Sequence, residues 1–176
     1  MSSKKEKDLN NIISTLKEVS IFKEFVDKPE DLKKIAEIMH YKKVSKGTVI
    51  IREGEEGDSL YILKSGAVNI LKQTLENEEY TVVRLESKKN DIVFFGELAL
   101  LDNDRRSATV VADTDCELLV IHRKDFIKLG DKYPHLGLPI TREISKILAL
   151  RLRKASQDII TLFESLVGEI SEGEKF

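Results

Sequence analysis

The hydrophobic rhythm of the chain changes twice. Up to about Met39 the apolar residues Leu9, Ile12, Ile13, Leu16 and Val19 recur at steps of three and four, the spacing of one helical face. A second helix is predicted from Pro29, with Glu30 and Asp31 in its first turn and an apolar face of Leu32, Ile35, Ile38 and Met39. From about Tyr41 to His122 the pattern breaks into short runs rich in Val, Ile, Leu and Tyr: Thr48–Arg52, Leu60–Lys64, Ala67–Leu75, Tyr80–Leu85, Ile92–Phe95, Ser107–Ala112 and Glu117–His122. Glycines stand at the breaks, where a turn needs positive φ or close backbone approach. Many short strands with no helix-length separators predict a roll, barrel or sandwich rather than a parallel α/β sheet.

Beyond His122 the helical period returns. Asp125–Asp131 reads as a short helix, closed by Tyr133-Pro134 and Gly137, and an unbroken pattern runs from about Pro139 to about Val167. At ~1.5 Å per residue that is a rod of about 43 Å. Leu148, Leu152, Ala155, Ile159, Leu162 and Leu166 alternate steps of four and three, which makes a short heptad seam. Such a seam serves either packing on its own domain or a two-helix homodimer. A rod this long would overshoot a small roll, which favours the dimer. The expected organisation is a helical segment 1–40, a β-roll 41–122, C-terminal helices 123–167 and a tail 168–176, together one domain.

Composition narrows the class. The chain has 176 residues, 41% hydrophobic and 34% charged, with a formal net charge of −2. That balance suits one globular domain and gives no broad attraction to nucleic acid or to an anionic membrane. The polar start MSSKKEKDLNN is no signal peptide, and no apolar run approaches the roughly 18 residues of a membrane helix. A cytoplasmic location is expected by elimination. Cys116 is the single cysteine and sits in an apolar run, so it reads as a packed thiol. His40, His122 and His135 show no ligand spacing, so neither a metal site nor an enzyme is expected.

The stretch that carries chemistry is Phe94-Phe95-Gly96-Glu97-Leu98-Ala99-Leu100-Leu101-Asp102-Asn103-Asp104-Arg105-Arg106-Ser107-Ala108-Thr109-Val110. A strand ends at Phe95, Gly96 opens a bend, and Glu97 to Leu101 suit a single helical turn. The unpaired N–H groups at the start of such a turn, with an arginine fork and the Ser107 hydroxyl, suit an anion. Composition alone also allows a solvated surface turn.

This segment, 94–110, resembles the phosphate-binding cassette of the cyclic-nucleotide-binding domain family, the domain of catabolite activator proteins and of cAMP-dependent kinase regulatory subunits. Its pattern is Phe-Gly-Glu-Leu-Ala-Leu, a loop, then Arg followed by Ser, Thr or Ala and a further Ala. The upstream Gly47 to Val68, which contains Arg52-Glu53-Gly54-Glu55-Glu56-Gly57-Asp58-Ser59-Leu60-Tyr61, is similar to the family's first hairpins, and Val19-Ser20-Ile21-Phe22 to its leading helix.

The resemblance implies a mainly β fold with flanking helices, an antiparallel, jelly-roll-like β-roll with a short cassette helix and a long C-terminal helix. It implies that Glu97 accepts from the ribose 2′-hydroxyl, and that Gly96, Leu98 and Ala99 place backbone groups around ribose and cyclic phosphate. Arg106 would neutralise the phosphate, with Ser107 contacting it or the base; Arg105 is the rival, but the register Arg-Ser-Ala-Thr-Val favours Arg106. Arg151 resembles the helix arginine with which some members cap the purine, and otherwise reads as an ordinary exposed arginine. Many members have Gly-Asp shortly before the cassette, where this chain has Asn90-Asp91 followed by Ile92 and Val93.

The ligand implied is a cyclic nucleotide, with cAMP favoured over cGMP. Only about nine residues follow the long helix, so the sequence leads to the expectation of a free-standing receptor that signals through movement of that helix to a dimer mate or a separate effector protein. The alternative is a β-roll interaction or dimerisation module that no longer binds nucleotide.

Overall fold

The computed structural model describes residues 2–74, 76 and 78–173, with side chains characterised from residue 6 to residue 167 outside that gap. The chain divides into two compact units, Met1–Ile140 and Thr141–Phe176.

In the first unit, α1 (Ser2–Leu16), a 3-10 turn (Ser20–Phe25) and α2 (Pro29–Glu37) precede the strands. Pro29 opens α2, where a missing N–H costs nothing, and Glu30 and Asp31 complement its positive end. Leu32, Ile35 and Ala36 form its buried face.

Eight strands follow: β1 (Met39–Val44), β2 (Val49–Ile51), β3 (Ser59–Ser65), β4 (Ala67–Gln73), β5 (Glu79–Glu86), β6 (Val93–Phe95), β7 (Thr109–Ala112) and β8 (Cys116–His122). They form two four-stranded antiparallel sheets, ordered β1-β8-β3-β6 and β2-β7-β4-β5. Val44, Leu63, Phe95, Cys116, Leu118 and Val120 from one sheet share a buried cluster with Ile51, Val68, Val110 and Ala112 from the other. This is the β-roll expected, and Cys116 is packed within it as expected.

Two boundaries differ from the sequence reading. Ile38 and Met39 do not continue α2. The helix ends at Glu37, and Met39 begins β1, paired with Ile121 of β8. That strand carries His40, Tyr41, Lys42 and Lys43 exposed between buried Met39 and Val44, so no alternation announces it. Its partner β8 defines it, in register from Met39↔Ile121 to Val44↔Cys116.

The second difference lies at the C-terminal helices, α4 (Arg123–Lys132) and α5 (Pro134–Gly173). Gly137 does not close a helix, and Pro139 does not open one, because both lie inside α5. Pro134 opens it instead, and Pro139 lies near enough to the start that few intrahelical bonds are lost. A Cβ at Gly137 would stand 2.7 Å from the Gly130 Cα of α4. Close approach of the two helices, not chain reversal, requires glycine there.

In the second unit α5 continues through the expected seam. Leu152, Ile159, Leu162 and Leu166 are exposed along it, together with Leu150, Ile160, Phe163 and Val167. The tail 174–176 lies outside the described residues. No described helix is long and apolar enough to cross a membrane.

Candidate functional site

The cassette is built where β6 ends. Phe94 and Phe95 are buried and pin the strand, with Phe95 stacked on Tyr61 of β3 at 5.4 Å between ring centroids. Gly96 then turns the chain at φ +75, a conformation that a side chain would strain. A Cβ there would also crowd the Ser59 carbonyl at 3.0 Å and an Arg106 nitrogen at 3.0 Å. Next comes α3 (Leu98–Leu101), one helical turn with Glu97 at its start; Ala99 and Leu100 are buried while Leu98 and Leu101 are exposed. The Ala99 and Leu100 N–H groups donate to the Gly96 and Glu97 carbonyls.

The approach to the cassette turns as its residue types allow. Asn90 has φ 66, and the main chains of Lys88 and Asp91 bond each other across the turn at 3.0 and 3.2 Å. Asparagine tolerates this left-handed conformation. Its N–H donates to the Glu18 carboxylate at 2.8 Å.

Arg106 is the half-buried cation of the site. Its main chain is clamped to the β2–β3 loop: its N–H donates to the Glu55 carbonyl and its carbonyl accepts from Gly54 N–H, both at 2.9 Å. Its side chain donates from Nη2 to the Ser59 carbonyl at 2.9 Å and from Nη1 to the Gly96 carbonyl at 3.3 Å. The guanidinium also stands 5.9 Å from the centre of the Tyr61 ring. Both of these side-chain bonds go to neutral carbonyls. Burial pushes its pKa down, while the nearby Tyr61, Asp58 and Glu97 pull it up.

Arg105 occupies a different environment. It is exposed, and its Nη1 donates to the Gly54 carbonyl at 2.9 Å. Glu97, in contrast, is a carboxylate only 3% exposed that lies within electrostatic reach of Arg106. Burying an acid is costly without polar partners, and no buried side-chain polar atom among the described residues lacks a hydrogen-bond partner.

Gly96, Glu97, Leu98 and Ala99 therefore form one bend with Arg106 beside it. Ser107 is exposed in the bend leading to β7, and Arg151 is exposed on α5, in the second unit.

Three residues outside the predicted set shape the surroundings of Arg106. Gly57 leaves room for Arg106, Ser59 accepts its Nη2, and Tyr61 lies under the guanidinium. All three fall within the stretch Gly57-Asp58-Ser59-Leu60-Tyr61, which the sequence analysis singled out for its similarity to the family's first hairpins and not for contacts with Arg106. No group of His, Cys, Asp and Glu among the described residues could hold a metal ion.

A family model described as cyclic nucleotide-binding domain matches residues 41–133. The chain is 37% identical over 113 residues to the cGMP-dependent protein kinase 2 of Homo sapiens, covering 63% of this chain and 14% of that one. Its structure is similar to that of the Thermus thermophilus catabolite activator protein, with a TM-score of 0.67 and 30% identity over 76% of this chain and 59% of that one. It is also similar to the regulatory domain of Toxoplasma gondii PKA solved with cAMP, with a TM-score of 0.60 and 33% identity over 70% of this chain and 45% of that one. The chain spans less than two thirds of the length of each of these relatives. With its β-roll, its cassette and a matching family model, the chain belongs to the cyclic nucleotide-binding domain family.

Proposed function

We propose that this chain is a cyclic-nucleotide receptor, with Arg106 taking the cyclic phosphate and Glu97 accepting from the ribose 2′-hydroxyl. The observation that carries this reading is the state of Arg106, a half-buried guanidinium that donates to the neutral Ser59 and Gly96 carbonyls within reach of the buried Glu97 carboxylate. Burial disfavours the charged guanidinium, and a phosphate would stabilise that charge through the planar fork that arginine presents. Gly96, Leu98 and Ala99 offer main-chain groups around the sugar and phosphate, and Ser107 adds a hydroxyl. The family resemblance alone assigns Arg151 to the purine.

The favoured ligand is cAMP, as in the Toxoplasma domain solved with it. A cGMP-dependent kinase among the relatives makes cGMP the ligand to compare. Calorimetry with both tests the reading: saturable binding of at least one, tighter for cAMP, is expected. Absence of heat with either would favour a roll that serves only interaction.

Output passes through α5. Ligand would favour one of two positions of this helix, a population shift between packings that an effector protein or a second copy reads. The exposed seam from Leu152 to Leu166 supports a homodimer through this helix.

A further inference from the structure

The far side of Arg106 leads to a histidine. The Ser59 carbonyl that accepts Arg106 Nη2 belongs to a residue whose own hydroxyl is buried and doubly engaged. Ser59 Oγ donates to Asp58 Oδ1 at 2.6 Å and lies 2.9 Å from His122 Nδ1. Because the Ser59 proton is committed to the carboxylate, His122 Nδ1 must be the donor in the second bond. The same nitrogen lies 3.3 Å from Asp58 Oδ1. The turn is anchored further by the Arg123 N–H of α4, which donates to the Asp58 carbonyl at 2.6 Å.

Asp58 is an awkward neighbour for an anion site. Its carboxyl is held below the ordinary aspartate range by the Ser59 hydroxyl and, after it, by His122, so it stays charged. That charge acts on Arg106 and opposes an incoming phosphate. Other titratable groups near His122 include His40 of β1, with ring centroids 5.3 Å apart, and Asp125 of α4, 3.8 Å from His40 Nε2, while Glu56, Arg123 and Lys124 line the surface beside Asp58. Protonating the imidazole would place a positive charge against Asp58 and cancel much of its field at Arg106.

We infer that His122 is a positioning residue of the anion site, which through Ser59 and Asp58 holds Arg106 and makes the affinity for an anionic ligand rise as the imidazole gains a proton. The inference rests on the reading of Arg106 as the phosphate-binding group. His122 touches no ligand in this scheme. It sets the charge behind the arginine.

Two measurements test it. In the ligand-free protein, the Arg106 Nε–H resonance should move together with the His122 ring signals as the pH is lowered through their transition, and stay still in His122→Gln. In calorimetry with cAMP, affinity should rise about three- to tenfold over the same fall in pH, the scale of one screened charge nearby. His122→Gln keeps a donor to Ser59 and should flatten that dependence. An Arg106 resonance that ignores His122 would overturn the inference, as would equal pH profiles for the two proteins. A coupled resonance without any cAMP binding would uphold the His122–Arg106 linkage and sink the receptor reading instead.

Discussion

The Arg106 guanidinium lies across Gly57 so closely that a Cβ built on Gly57 would stand 2.0 Å from Arg106 Nε. Glycine here is required for space. Gly57 is not among the positive-φ residues, so alanine fits its backbone. The strain of Gly57→Ala should fall on the side chain that can move, which is Arg106. We expect a melting temperature within a few degrees of the parent, since alanine also lowers unfolded-state entropy, with cAMP affinity about tenfold or more weaker. Unchanged affinity would show that the arginine binds from another position.

Glu97 tests the sugar. Glu97→Gln keeps the shape and weakens a charge-assisted bond worth about 1.5–3 kcal/mol. Binding of cAMP should therefore fall about tenfold or more, while the 2′-deoxy analogue, which lacks the hydroxyl, should lose much less. Equal losses for the two ligands would remove Glu97 from ribose recognition.

Glu117 concerns stability. Its carboxylate accepts from Tyr41, Lys64 and Lys43, with Lys64 and Lys43 Nζ both at 3.1 Å, and these partners lower its pKa from 4.5 to about 2. A pKa depressed by folding stabilises the fold above the unfolded value, and that contribution is lost as protons bind. The loss should run from about pH 4.5 down to about pH 2. Glu117→Gln should lower stability at neutral pH and shrink the difference from the parent across that window. A difference that stays constant with pH would show that the cluster contributes nothing through charge.

The seam on α5 sets a different test. Leu152 and Ile159 are 69% and 67% exposed. If a second copy covers them, the parent should sediment as a dimer, and Leu152→Glu with Ile159→Glu should give a folded monomer. A monomeric parent that loses its fold on this double change would mean that the helix packs on its own chain.

Legibility of the fold followed burial. Strands β3 and β8 carry long buried apolar runs and were readable directly. Strand β1 was not, because its four central residues are exposed and only pairing with β8 orders them. The start of α5 was hidden because Gly137 resembles a helix breaker, while its purpose lies in Gly130 of another helix. In the site, Gly96 and Asn90 announced their turns by residue type. The contacts that fix Arg106 did not, since Ser59 lies 47 positions away and offers only a main-chain oxygen. Sequence spacing carries no sign of such a bond.

The most direct measurement is calorimetry of cAMP with the parent, Arg106→Ala and Arg105→Ala. Removing one partner of a buried ion pair costs about 3–5 kcal/mol, or roughly two to three and a half decades of affinity. Arg106→Ala should show that loss while keeping its melting temperature. Arg105→Ala should stay within a few-fold of the parent, because Arg105 is exposed and its side chain donates to the Gly54 carbonyl. Equal losses in the two variants, or a greater loss from Arg105→Ala, would contradict the assignment of the phosphate to Arg106.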